Sequence, residues 1–249
     1  KIKSTVDLMG LVKIESYLWV DRTGQTLKTY VPAIQQIGYR TTRLDALDQG
    51  STKEFDLGQF STVHVDRPLL RAHETKRGVY RVHLKDGDPG SVFVQGLSQD
   101  VTSLDNHTVR VEVRQVRPYL PESVEEVSIR QPTDDDLAAN NLIQSEDERV
   151  VRMANRVAAG ESDTWIVARE LEQLVQSTIR TKGFSQAFAT AAEVAENLEG
   201  DCTEHSVLLA ALCRAREIPA RVAMGLVYYP LEQGFAYHMW TEVWIVDRW

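Results

Sequence analysis

Two residues near the C-terminal end of the chain, Cys202 and His238, have the side chains that nucleophilic and general-base chemistry requires. Cys202 directly follows Gly200-Asp201 and opens a segment with helical spacing of apolar residues. A thiol at a helix start faces the positive end of the helix dipole, which favours the nucleophilic thiolate. His238 lies in the strand-like sequence Tyr237–Trp244, where a rigid strand can hold a base in place. The pair therefore predicts thiol–imidazole chemistry, and a buried cysteine with a core histidine is the alternative.

The remaining cysteine and a neighbouring histidine have simpler interpretations. Cys213 lies 11 residues after Cys202 among apolar residues, so we expect it in the core. On one helix the two sulfurs would be ~16 Å apart, which excludes a disulfide. His205 could join Cys202 and His238 as a zinc ligand, but no second Cys or His cluster in the sequence supports such a site. We therefore predict no metal and no cofactor, with His205 either packed or in contact with the catalytic residues.

The first half of the chain has the patterns of β-structure. Two strand-like segments, 13–20 and 27–31, flank the turn signal Asp21–Gly24 and predict a hairpin. Apolar and polar residues alternate over 80–85 and again over 109–114, which is typical of half-buried strands. A turn at 86–90 leads back into strand-like sequence at 92–94. We expect a mostly antiparallel sheet or sandwich.

The second half has helical patterns followed by strand patterns. Pro118–Asp136 contains three prolines and the run Asp134–Asp136, which we interpret as a solvated linker. Capping pairs predict three helix starts, and two strands follow. The predicted starts are Ser145 with Glu148, Ser162 or Asp163, and Asp201 with Glu204; Pro219 stops the last helix, and the strands are 221–229 and 237–246. This order indicates an α+β domain.

Composition limits the classes of protein and of partner. The chain has 249 residues, of which 43% are hydrophobic and 26% charged, so it can bury a real core as one large or two medium domains. The net charge of −8 argues against nucleic acid as a partner, and it is divided into +3 for residues 1–117 and −11 for 118–249. No membrane segment or signal peptide is visible. We expect the natural N-terminus to lie upstream of Lys1. The cellular compartment is therefore undetermined, and an extracytoplasmic location in a bacterium is one of the options.

Four linked blocks carry a resemblance to a known family. They are Gly200–Ser206, Arg214–Arg221, Gly225–Tyr228 and His238–Trp244. Together they resemble the transglutaminase-like superfamily of bacterial cysteine enzymes. The resemblance implies a papain-like α+β fold and a Cys-His-Asp triad, with Cys202 as nucleophile and His238 as general base and acid. One departure is Glu217, which stands where the family usually has a glycine.

The resemblance also implies further site residues. The triad aspartate is expected beyond Trp249, and Asp247 is predicted to be a turn residue rather than its substitute. Trp240 and His205 are candidate neighbours of the substrate or of the catalytic pair. The backbone N–H of Cys202 is a natural oxyanion donor, and Gln186 is a candidate for the second donor.

These observations combine into one prediction for the whole chain. A mostly antiparallel β domain of unknown role (1–117) and a linker (118–136) precede a papain/transglutaminase-like α+β catalytic core (137–249) that is truncated at its C-terminus. The predicted activity is thiol-dependent acyl transfer or hydrolysis on amide groups of a protein or peptide substrate, through a Cys thioester. We expect weak activity without the aspartate. The alternatives are a cysteine peptidase or amidase with the same residues, and a non-catalytic binding or scaffolding module.

Overall fold

The computed structural model describes residues 1–8, 12–32, 36–42, 62–115, 130–180 and 189–249 and divides the chain into two compact units, 1–57 and 58–249. The first unit contains a four-stranded antiparallel sheet in the order β1-β2-β3-β4. Asp21 shapes the hairpin turn between β2 and β3, because its carboxylate accepts from the backbone N–H groups of Thr23 and Gln25. The predicted hairpin is confirmed. The strands are β1 Ile2–Leu8, β2 Val12–Val20, β3 Thr26–Val31 and β4 Gln36–Tyr39.

The second unit begins with a short strand, β5 (Val63–His64), and a three-stranded antiparallel sheet in the order β6-β8-β7. The alternation predicted over 80–85 is confirmed in β6, where every second residue is the less exposed one. The segment 92–94 is not a strand and follows a short 3-10 turn over Pro89–Ser91. Asp88 caps the start of this turn, because its carboxylate accepts a hydrogen bond from the Gly90 N–H. The sheet strands are β6 Arg77–His83, β7 Gln99–Asp105 and β8 Thr108–Arg114.

A buried carboxylate breaks the expected alternation of β8. Glu112 is only 4% exposed, whereas the neighbouring Val113 faces solvent. Glu112 accepts hydrogen bonds from Arg77, Arg110 and Arg114. These contacts, led by that of Arg77, hold the pKa of the Glu112 carboxyl well below its usual range. Burial of this charge is therefore compensated by three guanidinium groups.

The acidic run at the end of the predicted linker is only partly solvated. Asp134–Asp136 form a short 3-10 turn, and Asp136 is buried. Its carboxylate accepts from Thr133 N–H at 2.8 Å and from Arg130 at 3.3 Å. The prediction of a wholly solvated run is thus wrong for Asp136, because this side chain caps the turn. The part of the linker over 118–129 lies outside the described residues.

Four α-helices follow, α1 Glu148–Ala154, α2 Thr164–Thr178, α3 Ala191–Asn197 and α4 Cys202–Ala215. Asp163 caps α2 as predicted, by accepting from the N–H of Trp165. The predicted start of α1 is wrong, because Asp147 rather than Ser145 caps it. Ser145 is buried instead.

A second antiparallel sheet, in the order β5-β10-β9, packs against α4. It contains β9 (Ala220–Tyr229) and β10 (Gly234–Val243), which pair from Ala220↔Val243 to Tyr229↔Gly234. The largest fully buried side chains around α4 are Val150, Leu171, Val194, Leu208, Leu212 and Ile218. Helices and antiparallel sheets in this order confirm the predicted α+β class.

The end of α4 explains the arginine-rich block of the sequence. Glu217 takes a left-handed conformation (φ 59°), and the backbone N–H groups of Glu217 and Ile218 bond back to the carbonyls of Arg214 and Cys213. This is a Schellman helix end, in which glycine is usual and any other residue is mildly strained. Arg216 donates to the carbonyls of Ala154, the last residue of α1, and of Val157 and Ala158, which follow it. The block therefore ties α4 to its neighbours.

The chain reverses direction after β10. Val246 and Asp247 both have positive φ, and Ile245 and Arg248 exchange backbone hydrogen bonds of 2.8 and 3.3 Å across them. This is a two-residue turn of the kind found in hairpins. The indole of Trp249 then donates to the Arg130 carbonyl at 2.8 Å.

The predicted domain boundaries at 117 and 137 stay a prediction, since the two compact units are defined by packing rather than by function. Among the helices over the described ranges, none has both the length and the hydropathy of a bilayer span.

Candidate active site

The loop before α4 is fixed by a reciprocal cap. The Asp201 carboxylate accepts from Thr203 N–H at 2.8 Å, and the Glu204 carboxylate accepts from Asp201 N–H at 3.0 Å. The capping pair predicted from the sequence is confirmed. Cys202 is therefore the first residue of a helix whose start has a defined geometry.

Glu204 is a buried carboxyl that also holds the preceding segment. It accepts from Ala189 N–H at 3.2 Å, and burial raises its pKa. Gly200 lies directly against it with φ of +153°, and a Cβ at Gly200 would be 2.2 Å from the Glu204 Cβ. Only glycine fits at this position, because both atoms belong to short, fixed parts of their residues.

We expect Gly200→Ala to lower the free energy of unfolding by about 2–4 kcal/mol, because the added methyl group meets Glu204 in a conformation unfavourable for alanine. Urea denaturation measures the change. Gly96→Ala is the matched control, since a Cβ at Gly96 meets no atom within 4 Å; we expect a change within about 0.5 kcal/mol. Equal stability of the two variants would contradict the close packing of the loop on Glu204.

The Cys202 sulfur is half-buried at the junction of α4 and β10. Burial raises the pKa of the Cys202 thiol, and the charges of Asp201 and Glu204 add to this rise. Hydrogen bonds from the Met239 backbone and the Thr203 side chain act in the opposite direction but do not reverse the pKa shift. The expectation that the helix start favours the thiolate is therefore wrong for this structure, which favours the neutral thiol because of burial and two nearby carboxylates.

The side chains of β10 alternate between two faces. Met239 and Thr241 face α4, since the Met239 Sδ contacts the Thr203 hydroxyl at 3.4 Å and the Thr241 hydroxyl donates to the Ser206 carbonyl at 2.9 Å. Trp240 and Glu242 belong to the other set. Trp240 packs over Gly225, and Glu242 pairs with Arg221 at 2.7 Å.

His238 lies on the same face of β10 as Trp240 and Glu242, and it is exposed. The backbone of Met239, the residue after His238, hydrogen-bonds the Cys202 sulfur. Cys202 therefore contacts the strand that carries His238. Over the described ranges, the His238 ring makes no hydrogen bond, ion pair or ring contact. The direct pairing of the Cys202 and His238 side chains stays a prediction.

The other predicted site residues have separate positions. The ring of His205 bonds through Nδ1 to the Asp201 carbonyl at 2.6 Å, and Trp240 covers Gly225. Asp247 lies in the turn after β10. Gln186 lies outside the described residues. Across the part of the chain that is described, no group of three His, Cys, Asp or Glu side chains is placed to hold a metal ion. Cys202, His205 and His238 therefore do not form such a group.

Tyr237, which no sequence motif singles out, lies beside the thiol. Its hydroxyl donates to the Met224 Sδ at 2.9 Å. Burial raises the pKa of Tyr237 to about 12, and the charges of Cys202 and Asp201 contribute to this rise. Its spacing from Met239 could have indicated this position, because residues i and i+2 of a strand lie on the same face of the sheet.

Cys213 has none of these features. It lies inside α4 with no exposed surface, and burial raises its pKa to about 12. The predicted core position is confirmed.

Comparison with family models gives a match over the C-terminal part of the chain. Residues 151–249 match the model described as the Transglutaminase-like superfamily. Comparison with curated proteins gives no match. Among solved structures, a proposed cysteine protease from Cytophaga hutchinsonii is 13% identical with a TM-score of 0.42, and the match spans 76% of this chain and 66% of that one, just under two thirds. The periplasmic domain of TgpA from Pseudomonas aeruginosa, bound to ethylmercury, is 14% identical with a TM-score of 0.47 and 70% coverage of each chain.

Proposed function

We propose that the protein is a cysteine-dependent enzyme acting on amide groups of proteins or peptides through a thioester on Cys202, since residues 151–249 match the model of the transglutaminase-like superfamily. The observation that carries this proposal is the setting of the thiol. Cys202 is the first residue of a helix packed against a sheet, and its sulfur contacts the backbone of the strand that carries His238. A partly exposed thiol on rigid elements can reach a bound carbonyl group.

The proposed reaction has two balanced steps. The Cys202 sulfur bonds to the carbonyl carbon and its proton passes to His238; the C–N bond then breaks, and the amine leaves with that proton. Water or a second amine next attacks the thioester and gives a proton to His238, which returns it to the departing sulfur. Hydrolysis and acyl transfer differ only in which acceptor reaches the thioester.

The proposed base, His238, lies on the face of β10 opposite to that of Met239, which faces α4. The His238 ring is exposed, and within the described ranges no hydrogen bond restrains it. A bound substrate must therefore bring the ring to the thiol, because no contact holds it there beforehand. The Glu242 carboxylate pairs with Arg221, and Asp247 lies in the tight turn; within the described residues neither makes a hydrogen bond to the His238 ring.

A non-catalytic module is the second candidate, and one observation favours it. Burial raises the Cys202 pKa, and over the described residues the His238 ring makes no hydrogen bond to the thiol. A binding module that keeps the fold without turnover would show the same arrangement. The reaction itself separates the two candidates.

The test uses a glutamine-containing peptide, with and without methylamine as acceptor. We expect release of ammonia, and we expect partial alkylation by iodoacetamide to lower the rate in proportion to the fraction of Cys202 modified. Mass spectrometry gives that fraction, and methylamine incorporation separates transfer from hydrolysis. A rate that survives complete modification of Cys202 would overturn the thioester mechanism, and the absence of any release from carboxamide or peptide bonds would favour the binding module.

A further inference from the structure

The sheet beside Cys202 presents the Tyr237 hydroxyl among apolar side chains. In the register of β9 and β10, Met224 lies opposite Met239 and Leu226 lies opposite Tyr237. Met224 is 45% exposed and Leu226 is 40% exposed, on the face that Met239 presents to α4. Met224 and Leu226 therefore form an apolar surface around Tyr237, and the Tyr237 hydroxyl is a polar atom within it.

The Tyr237 hydroxyl makes a weak contact in this structure. Its acceptor is the thioether of Met224, and sulfur in this form is a poor hydrogen-bond acceptor. Exchange of this acceptor for a carbonyl oxygen or an oxyanion would strengthen the bond, since bonds to charged oxygen are the stronger class. The phenol stays neutral and able to donate at neutral pH, because its pKa is raised to about 12.

The position of Tyr237 matches what an oxyanion donor needs. Tyr237 lies two residues before Met239 on the same face, and the Met239 backbone contacts the Cys202 sulfur. One step of two residues along a strand is about 7 Å, which the length of a tyrosine side chain can span. The Cys202 backbone N–H is one candidate donor to the oxyanion, and a second donor would complete an oxyanion hole.

We propose that the Tyr237 hydroxyl is the second oxyanion donor, which leaves the Met224 sulfur and bonds the substrate oxygen as Cys202 attacks. The proposal rests on the proposed function. The sulfur forms a bond to the carbonyl carbon, the electron pair of the C=O double bond moves to oxygen, and the thiol proton goes to His238. Tyr237 donates a hydrogen bond to that oxygen and transfers no proton.

The test compares Tyr237→Phe with the natural protein, using the peptide aldehyde N-acetyl-Phe-glycinal as probe. The Cys202 thiol adds across the aldehyde, with its sulfur on carbon and its proton on oxygen, so the product resembles the tetrahedral intermediate. We expect the variant to bind the aldehyde about 10- to 100-fold more weakly and to lose kcat with little change in KM. Tyr229→Phe is the matched control, since Tyr229 is an exposed tyrosine on β9.

Iodoacetamide separates this role from a structural one, because its alkylation of sulfur creates no oxyanion. We expect equal alkylation rates for Cys202 in Tyr237→Phe and in the natural protein. Undiminished aldehyde binding in the variant would overturn the donor role and leave the proposed function intact. An equal fall in aldehyde binding and in alkylation would also overturn it, by showing a structural role. If Cys202 of the natural protein takes up neither probe, the proposed function itself is overturned, and the donor role with it.

Discussion

Replacement of Cys202 by alanine should lower amide cleavage and acyl transfer to background, a loss of at least about 10⁴-fold. Removal of a catalytic nucleophile from a related type of mechanism costs about 10⁶-fold, which leaves a wide margin. Cys213→Ala is the matched control, because Cys213 lies in the same helix with no exposed surface. We expect it to lose stability through the small cavity but to keep its rate per folded molecule. Initial rates, corrected by circular dichroism for the folded fraction, measure both effects.

The natural protein offers an independent check of the same assignment. Burial raises the pKa of Cys213 to about 12, so its thiolate fraction at pH 8 is about 10⁻⁴. Cys202 is partly exposed, so the reagent can reach its sulfur, whereas Cys213 has no exposed surface. Iodoacetamide should therefore label Cys202 at least about 100-fold faster than Cys213. Preferential labelling of Cys213, or full activity in Cys202→Ala, would contradict Cys202 as the nucleophile.

The elements that the sequence predicts well are those with local causes. The β2–β3 hairpin depends on Asp21 and the residues directly after it. The start of α4 depends on Asp201 and Glu204, which lie within one turn of each other. Such signals act over a few residues and do not need the tertiary fold. The error at α1 is of the same kind, since Ser145 and Asp147 are both good caps and the choice between them depends on packing.

The features that the sequence does not predict depend on partners far along the chain. The buried Glu112 carboxylate depends on Arg77, which is 35 residues away in sequence but lies on the neighbouring strand β6 and donates to it. The neutral state of Cys202 has the same origin. A helix start alone predicts a thiolate, and burial of the sulfur by the fold outweighs that local effect. Tyr237 was overlooked because only its register, and not its type, places it beside the thiol.

The pH dependence of Cys202 should report this neutral thiol. A raised pKa means that less thiolate is present at neutral pH, so alkylation should rise with pH as one ionisation centred above the range of an ordinary cysteine. The rate of iodoacetamide labelling of Cys202 between pH 5 and pH 10 is the measurement. A cysteine already paired with an imidazolium would instead show a plateau below pH 7.

His238→Ala separates the resting state from the reaction. The His238 ring has no contact with the thiol in the described structure, so the alkylation profile should be unchanged in the variant. Turnover should nevertheless fall about 10²- to 10⁴-fold, because the proposed base is lost from both steps. His64→Gln is the matched control, since His64 is exposed on β5 and should change neither measurement.

The two measurements together decide how the enzyme acquires its nucleophile. An unchanged alkylation profile with a large loss of turnover means that the substrate brings His238 to Cys202, and that ionisation of the thiol is part of the reaction. A plateau below pH 7 that disappears in His238→Ala would mean a pre-formed ion pair and would contradict the resting thiol. Unchanged turnover in His238→Ala would remove His238 from the mechanism. The thiol would then need another base, and the carboxyls whose charges act on it are those of Asp201 and of Glu204, the second with a pKa raised by burial.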